Sequence, residues 1–270
     1  MQQGLVPALK SLRRLSLDSN SLSLHHGDFF EVVNKIPDES VDLVFADPPY
    51  FLSNGGFTVR SGKQASVNKG DWDSSQSREH AALFHQRWIG EVRRVMTKDA
   101  SIVISGTHHS IFHCGIELES SGYKLLNDII WFKPNGAPNL SRRRLGASHE
   151  TLLWATMSES SRFIFNYEAL KTGDFPGDKI KREGRQMRSV WWIPTTPMRE
   201  KQFGRHPTQK PLALLTRIVE AFSAPNSTVL DPFMGSGTTG LACQKLGRRF
   251  IGIEENLDYV LLAKRRMGLK

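Results

Sequence analysis

The segment of residues 227–256, STVLDPFMGSGTTGLACQKLGRRFIGIEEN, constrains the fold more than any other part of the chain. It combines an apolar strand pattern, a glycine-rich turn, a helix pattern and a second apolar strand. The turn, GSGTTG at residues 235–240, has the spacing G-x-G-x-x-G that lets a parallel strand pass directly into a helix. The segment therefore predicts a βαβ unit within a parallel sheet.

The same unit predicts a binding site for a nucleotide-type cofactor. Glycines alone would require only a tight turn, but Glu254 also ends the second strand, where an acid can bind the hydroxyls of a ribose. A dinucleotide would place its pyrophosphate at the N-terminus of the helix. S-adenosylmethionine fits the same frame, so the glycine motif does not choose between these cofactors.

The rest of the chain alternates between strand and helix patterns, which predicts an α/β fold with a doubly wound, mostly parallel sheet. Apolar strands with helices on both faces are typical of parallel sheets. The predicted strands include residues 40–46, 101–106, 124–134 and 149–157, and the predicted helices include residues 27–37, 78–96 and 211–223. A length of 270 residues suits one large domain or one domain with an insertion.

The sequence VFADPPY, residues 44–50, ends the predicted strand 40–46 with an acid, two prolines and a tyrosine. Because the glycine turn lies close to the C-terminus, the other strands must come from the earlier part of the chain. Ligands of such sheets bind outside the carboxyl ends of the strands. We therefore expect Asp47 to face the cofactor site.

This strand end suits a substrate that carries an amino group on an aromatic ring, such as adenine N6 or cytosine N4. The carboxylate of Asp47 would accept one N–H, and the carbonyl of Pro48 would accept the other. Pro48 and Pro49 fix the direction of the backbone and donate no competing N–H. Tyr50 would stack on the ring. Because a sulfonium methyl group is already activated, the protein mainly has to align the partners.

The composition indicates an anionic partner and a reducing compartment. Lys and Arg number 36 against 27 Asp and Glu, which gives a net charge of +9, and a basic chain of this size favours nucleic acid. Only Cys114 and Cys243 occur, without a CxxC pattern, so neither a disulfide framework nor a metal site is expected. No apolar run approaches membrane-spanning length, and we expect a cytoplasmic protein.

Three motifs resemble those of the β group of DNA amino-methyltransferases: DPPY at residues 47–50, HPTQKP at 206–211 and LDPFMGSGTTG at 230–240. In that group the catalytic motif precedes the cofactor motif, as it does here. The resemblance spans residues 22–267. It implies a circularly permuted, seven-stranded S-adenosylmethionine-dependent methyltransferase fold with a target-recognition insertion, and a DNA substrate. DPPYFLSNGG, KGDWD and APNLS resemble, more narrowly, methyltransferases of GATC-specific restriction systems.

The resemblance also implies roles for single residues around S-adenosylmethionine. The residues implied near its methionine part and sulfonium are Asp47, Asp231, Phe233, Gly235, Ser236, Gly237 and Thr238. Glu254 would bind the ribose hydroxyls and Asp28 would lie near the adenosine, while His206, Thr208 and Lys210 would hold the carboxylate end. Asp28 could instead be only a helix N-cap, and Lys210 could be a solvated surface charge.

We predict three parts along the chain. Residues 1–21 form an N-terminal extension, residues 22–136 and 204–270 form the catalytic domain, and residues 137–203 form a target-recognition region. The basic residues expected to contact phosphates or guanine are Arg142, Arg143, Arg144, Lys179, Lys181, Arg182, Arg185 and Arg188. The loop at residues 51–75 would close over a base flipped out of the duplex.

Several alternatives remain at this point. Within the family, an acid at the first position of the catalytic motif usually accompanies adenine, and a serine or threonine accompanies cytosine, so Asp47 favours adenine N6 over cytosine N4. RNA bases or a protein amide are further substrates of related pockets. A dinucleotide-dependent oxidoreductase or a non-catalytic DNA-binding protein would belong to other classes. The sequence leaves open whether the protein is a homodimer and whether it acts with a restriction endonuclease.

Overall fold

The computed structural model describes residues 22–49, 57–60, 63–66, 78–139 and 143–270. Tyr50, Arg142 and the predicted N-terminal extension lie outside the described residues, as does most of the predicted loop 51–75. Within that loop, the described residues form an antiparallel pair of short strands, β3 (Phe57–Arg60) and β4 (Lys63–Ser66).

An eight-stranded sheet forms the centre of the described part of the chain. Its strands, in spatial order, are β1 (Leu22–His26), β10 (Arg249–Glu254), β9 (Thr228–Asp231), β2 (Val41–Ala46), β5 (Met96–Gly106), β7 (His149–Thr156), β6 (Lys124–Phe132) and β8 (Val190–Trp192). Within this sheet, only the pairs β5–β7 and β7–β6 are antiparallel. The predicted mostly parallel α/β sheet is confirmed, with eight strands instead of seven.

Helices cover both faces of this sheet. They are α1 (Phe29–Val33), α2 (Arg78–Val95), α3 (Ile111–Ser120), α4 (Tyr167–Thr172), α5 (Leu212–Phe222), α6 (Thr238–Leu246) and α7 (Leu257–Met267). Alternate residues of β2 point to opposite faces. Leu43 and Phe45 belong to the core cluster that includes α5, α6 and α7, whereas Val44 and Ala46 belong to the cluster that includes α1, α2 and α3. This arrangement confirms the doubly wound fold.

Four apolar residues of α2 at helical spacing, Phe84, Trp88, Val92 and Val95, form a stripe that belongs largely to the core. Trp88, Val92 and Val95 are buried against the sheet. Phe84 is only half-buried, because it lies at the edge of the cavity described below. The stripe therefore serves the core over most of its length and the candidate site at one end.

Part of the predicted target-recognition region belongs to the central sheet. The range 137–203 contains β7, which lies between β5 and β6, and β8, which forms an edge of the sheet. Lys, Arg, Gly and Pro are frequent in the segment between these two strands. A recognition role for those loops stays a prediction.

Among the described helices, none has the length and apolar composition that crossing a bilayer requires.

Candidate active site

Most of the residues predicted to bind the cofactor line a single cavity of about 940 Å³, which lies at the carboxyl edge of the parallel strands. β9 and β2 are neighbours in the sheet, so the segments that follow them meet at this edge. The predicted residues that line the cavity are Asp28, Asp47, Pro48, Pro49, His206, Thr208, Lys210, Asp231, Phe233, Gly235, Ser236, Thr238 and Glu254. Gly237 is not among the lining residues, because it packs away from the cavity.

The glycine turn between β9 and α6 needs its glycines for two reasons. Gly235 and Gly237 both adopt left-handed backbone conformations, with φ of 52° and 74°, which side chains disfavour. A Cβ atom on Gly237 would lie 2.5 Å from Cε of Met267 and 2.7 Å from Cβ of Ala263. Gly237 thus allows the turn to pack against α7, while Gly235 faces the ligand side.

Arg266 on α7 holds this turn from outside the cavity. One nitrogen of its guanidinium donates hydrogen bonds to the carbonyl oxygen of Ser236 at 2.6 Å, to the Ser236 Oγ at 2.9 Å and to Thr238 Oγ1 at 3.0 Å. This role was not predicted, because Arg266 belongs to a run of basic residues that is typical of a solvated helix face.

Glu254, at the end of β10, connects that strand to the glycine turn. Its Oε2 accepts a hydrogen bond from the backbone nitrogen of Gly235, and its Oε1 accepts one from the backbone nitrogen of Asn256, both at 2.8 Å. Burial raises the pKa of this carboxyl group. Glu254 therefore shapes the turn, and its binding of a ribose stays a prediction.

Asp231 ends β9 beneath the turn and is almost fully buried. Its Oδ1 accepts a hydrogen bond from the backbone nitrogen of Phe233 at 3.1 Å, and its Oδ2 accepts one from Thr239 Oγ1 at 2.5 Å. Burial raises the pKa of the Asp231 carboxyl to about 7 in spite of these hydrogen bonds. Asp231 is thus a buried acid at the floor of the cavity.

An aromatic cluster forms another wall. The ring of Phe233 lies 5.7 Å from that of Phe29, 5.9 Å from that of Phe84 and 5.4 Å from that of Trp88, measured between centroids. Phe29, Phe84 and Phe233 also line the cavity. Such a wall can contact the flat face of a purine.

Asp28 caps α1, as one interpretation of the sequence predicted. Its Oδ1 accepts hydrogen bonds from the backbone nitrogens of Phe30 at 2.8 Å and Glu31 at 3.2 Å. Because Asp28 also lines the cavity, the capping role leaves room for the predicted contact with the adenosine.

His206 packs between the cavity and α7. Its ring lies 4.2 Å from that of Tyr259, and its Nδ1 accepts a hydrogen bond from the backbone nitrogen of Thr208 at 3.3 Å. A Cβ atom on Gly235 would lie 3.1 Å from the imidazole. The HPTQKP motif therefore packs directly on the glycine turn.

Asp47, which follows β2, forms an ion pair with Lys210 of the same motif. The Lys210 ammonium also lies 3.3 Å from Glu150 Oε2. Only 7% of the Lys210 side chain is exposed, so its interpretation as a solvated surface charge is wrong. Burial alone would lower the pKa of Lys210, but the charges of Asp47 and Glu150 outweigh that effect and raise it.

Glu150 and Lys133 were not predicted from the sequence. The Lys133 ammonium lies 3.1 Å from Glu150 Oε1, and Ser105 Oγ donates a hydrogen bond to Glu150 Oε2 at 3.3 Å. Burial would raise the pKa of Glu150, but Lys210 and Lys133 lower it to about 2. Four charges of alternating sign therefore lie at this edge.

Among the described residues, no cluster of His, Cys, Asp and Glu could hold a metal ion.

The chain resembles known DNA methylases over most of its length. The sequence pattern of the family described as DNA methylase matches residues 41–265. The type II methyltransferase M2.LlaDCHI of Lactococcus lactis subsp. cremoris is 46% identical over 91% of this chain and 88% of its own length. The type II methyltransferase M2.DpnII of Streptococcus pneumoniae is 43% identical over 93% of this chain and 91% of its own length.

Solved structures show the same likeness. The crystal structure of the M1.HpyAVI–SAM complex superposes with a TM-score of 0.66 at 28% identity, over 92% of this chain and 99% of that one. The PvuII DNA methyltransferase, which is described as cytosine-N4-specific, superposes with a TM-score of 0.69 at 20% identity, over 90% of this chain and 85% of that one. At that identity the second match shows a shared fold.

Proposed function

The chain belongs to the DNA methylase family, and we propose that it methylates the N6 amino group of adenine within a specific DNA sequence. The family makes it an S-adenosylmethionine-dependent DNA methyltransferase, and the alternative of a dinucleotide-dependent oxidoreductase is thereby wrong. The observation that carries the proposal is that Asp47 and the glycine turn line the same cavity. An acid that can receive a base amine thus shares a cavity with the turn expected to hold the methyl donor.

The cavity suits the methyl donor in size and in chemistry. A volume of about 940 Å³ lies within the range of small-molecule sites. The aromatic wall around Phe233 would provide a face for the adenine ring, Glu254 would bind the ribose hydroxyls, and Asp28 would lie near the adenosine. Gly235 lets the imidazole of His206 pack on the turn at the cavity, because a Cβ atom there would lie only 3.1 Å from the ring. S-adenosylmethionine, when bound, supplies a methyl group on a positively charged sulfur.

The chain's own contribution is to orient the amine. The N6 lone pair of adenine is delocalised into the ring, so the amine is a weak nucleophile. A carboxylate oxygen of Asp47 accepts one N–H and the carbonyl of Pro48 accepts the other, which turns the lone pair towards the methyl group as the nitrogen becomes tetrahedral. Because Pro48 and Pro49 lack N–H groups, neither competes for the same acceptors.

Adenine is favoured over cytosine because Asp47 stands at the first position of the motif, where the resembling cytosine enzymes usually carry serine or threonine. We take GATC as the recognition sequence, on the resemblance of DPPYFLSNGG, KGDWD and APNLS to methyltransferases of GATC-specific systems. The names of the relatives, type II methyltransferases, support action beside a restriction endonuclease. We also propose a cytoplasmic location, which a DNA substrate supports.

Contact with the DNA backbone is assigned to a basic loop, residues 179–188. Asp178 anchors this loop through a buried ion pair, because its Oδ2 accepts a hydrogen bond from Arg217 of α5 at 2.7 Å. The exposed basic side chains of the loop are Lys179, Arg182, Arg185 and Arg188. Lys181 differs, since its ammonium donates to the carbonyl oxygens of Lys171 and Arg182. An anchored loop with exposed charges suits phosphate contacts.

Sequencing of modified DNA tests the proposed function. Unmethylated plasmid is incubated with the protein and S-adenosylmethionine, and modified bases are mapped at single-nucleotide resolution. We expect N6-methyladenine at every GATC site, and none with the Asp47→Ala variant. Modification of cytosine N4, or of adenines without a common sequence, would contradict the proposal.

A further inference from the structure

The carboxyl edge of the sheet carries a buried chain of charges that extends beyond the residues assigned so far. Lys210 contacts two carboxylates, Asp47 and Glu150, and Glu150 in turn contacts Lys133. The side chains of all four are at most 14% exposed. Two positive and two negative charges alternate along this chain, so its net charge is zero.

The topology of the sheet explains why these residues meet. Asp47 follows β2, and Lys133 follows β6, which runs in the same direction as β2. Glu150 is the second residue of β7, and because β7 is antiparallel to both of its neighbours, its beginning lies at the edge where those strands end. β5 lies between β2 and β7, and its Ser105 adds an uncharged contact by donating a hydrogen bond to Glu150.

Glu150 lies behind Lys210 when seen from the cavity. Lys210 and Asp47 are among the residues that line the cavity, and neither Glu150 nor Lys133 is among the described lining residues. Glu150 therefore does not act by contacting the substrate. Its contact with Lys210 connects it to the cavity.

We propose that Glu150 is a positioning residue for methyl transfer, which holds the Lys210 ammonium in place so that Lys210 fixes the Asp47 carboxylate towards the base amine; this rests on the proposed function. Without Glu150, Asp47 would be the remaining described carboxylate that contacts the buried Lys210 ammonium. The ammonium would then compete with the amine for the carboxylate oxygens. With Glu150 present, the positive charge of Lys210 is shared, and Asp47 remains oriented and able to accept an N–H.

The substitution Glu150→Gln tests this role, because it keeps the shape of the side chain and removes its charge. We expect kcat for DNA methylation to fall about ten- to a hundredfold, as expected for a misplaced reacting group, while the KM for DNA and the Kd for S-adenosylmethionine stay within a few-fold. In the protein without ligands, we expect Lys210 to react faster with acetic anhydride, as measured by mass spectrometry. A kcat within twofold of the wild-type value would overturn the proposal.

A double variant separates positioning from simple charge balance. Adding Lys133→Met to Glu150→Gln leaves Lys210 and Asp47 as a neutral pair, and replacing a buried ion pair by neutral groups is generally tolerated. We expect resistance to urea to return towards that of the wild type while kcat stays low. Recovery of wild-type kcat would show that Glu150 only balances charge, and would overturn the proposal.

Glu159→Gln is the matched control. Glu159 follows β7 and pairs with Lys124 at the start of β6, so this ion pair lies at the other end of the two strands that position Glu150 and Lys133. We expect this variant to keep wild-type kcat, and an equal loss of kcat in it would overturn the proposal. Failure of the wild-type protein to methylate DNA would instead contradict the proposed function. The two hypotheses therefore fail in different measurements.

Discussion

The Lys210 ammonium contacts the carboxylate of Asp47 across 163 positions of the chain. This pair joins two of the motifs that the sequence singled out, DPPY and HPTQKP, on one side of the cavity. It also gives the buried acid a fixed partner before any substrate arrives. Preformed contacts of this kind reduce the ordering that catalysis has to achieve.

Replacement of Asp47 by alanine should abolish methyl transfer. The carboxylate addresses the amine of the substrate and not the methyl donor, so we expect the Kd for S-adenosylmethionine to change by no more than a few-fold. Lys210 keeps Glu150 as a counter-charge, so the fold should persist. Transfer of labelled methyl groups and calorimetric titration measure the two quantities. Turnover near the wild-type rate would argue strongly against the assigned role.

Gly237→Ala should destabilise the protein more than Gly247→Ala, which is the matched control. Both glycines have similar left-handed conformations, with φ of 74° and 69°, and they flank the same helix, α6. A Cβ atom on Gly237 would meet Met267 and Ala263, whereas nothing lies within 4 Å of a Cβ atom on Gly247. We expect about 1–3 kcal/mol of additional loss from the overpacking, measured by urea unfolding. Equal losses would contradict the packing role of Gly237.

The free energy of unfolding of the wild type, minus that of the Asp231→Asn variant, should decrease as the pH rises from about 4 to about 7. Burial raises the pKa of Asp231 from its ordinary value to about 7, so the protonated form is the one that the fold favours. Its contribution is complete below the pKa of the unfolded chain and is lost as the pH rises through the folded pKa. Urea unfolding of both proteins across this range measures the difference, and a flat difference would show that Asp231 is already ionised.

DNA binding should weaken steeply with salt, and the basic loop should account for part of the slope. Replacing both Arg182 and Arg185 by glutamine should reduce the slope of log K against log salt by up to about 2, since each phosphate contact contributes about 0.9. The control replaces Lys98 of β5 and Lys245 of α6 by glutamine, because both are exposed and lie outside the basic loop. Identical slopes in the two variants would remove the loop from the DNA interface.

The features predicted well from the sequence are those that a short segment encodes. The strand, turn and helix around Gly235 depend on local backbone requirements, and the rule that ligands bind at carboxyl ends of parallel strands places Asp47 at the same edge. The direction of β7 was not encoded in this way. Its apolar pattern fits either orientation, and pairing with two neighbours decides it.

The residues missed are those that act through distant partners. Glu150 looks like an ordinary polar residue at a strand end, and only the antiparallel pairing of β7 brings it to Lys210 and Lys133. Arg266 lies in a basic run on α7, and its contact with the glycine turn depends on how that helix packs. An acid at the start of an apolar strand is common in sequences. Such a pattern does not indicate which distant lysines the acid will contact.

A crystal structure of a ternary complex would show whether the segment Asp47–Pro49 and the glycine turn act on one flipped base. The complex would contain a non-reactive analogue of S-adenosylmethionine and a duplex with a GATC site. We predict an extrahelical adenine in the cavity, with its N6 at about 2.6–3.2 Å from the Asp47 carboxylate and the analogue beside Gly235. An analogue bound elsewhere, or an N6 directed away from Asp47, would contradict the account.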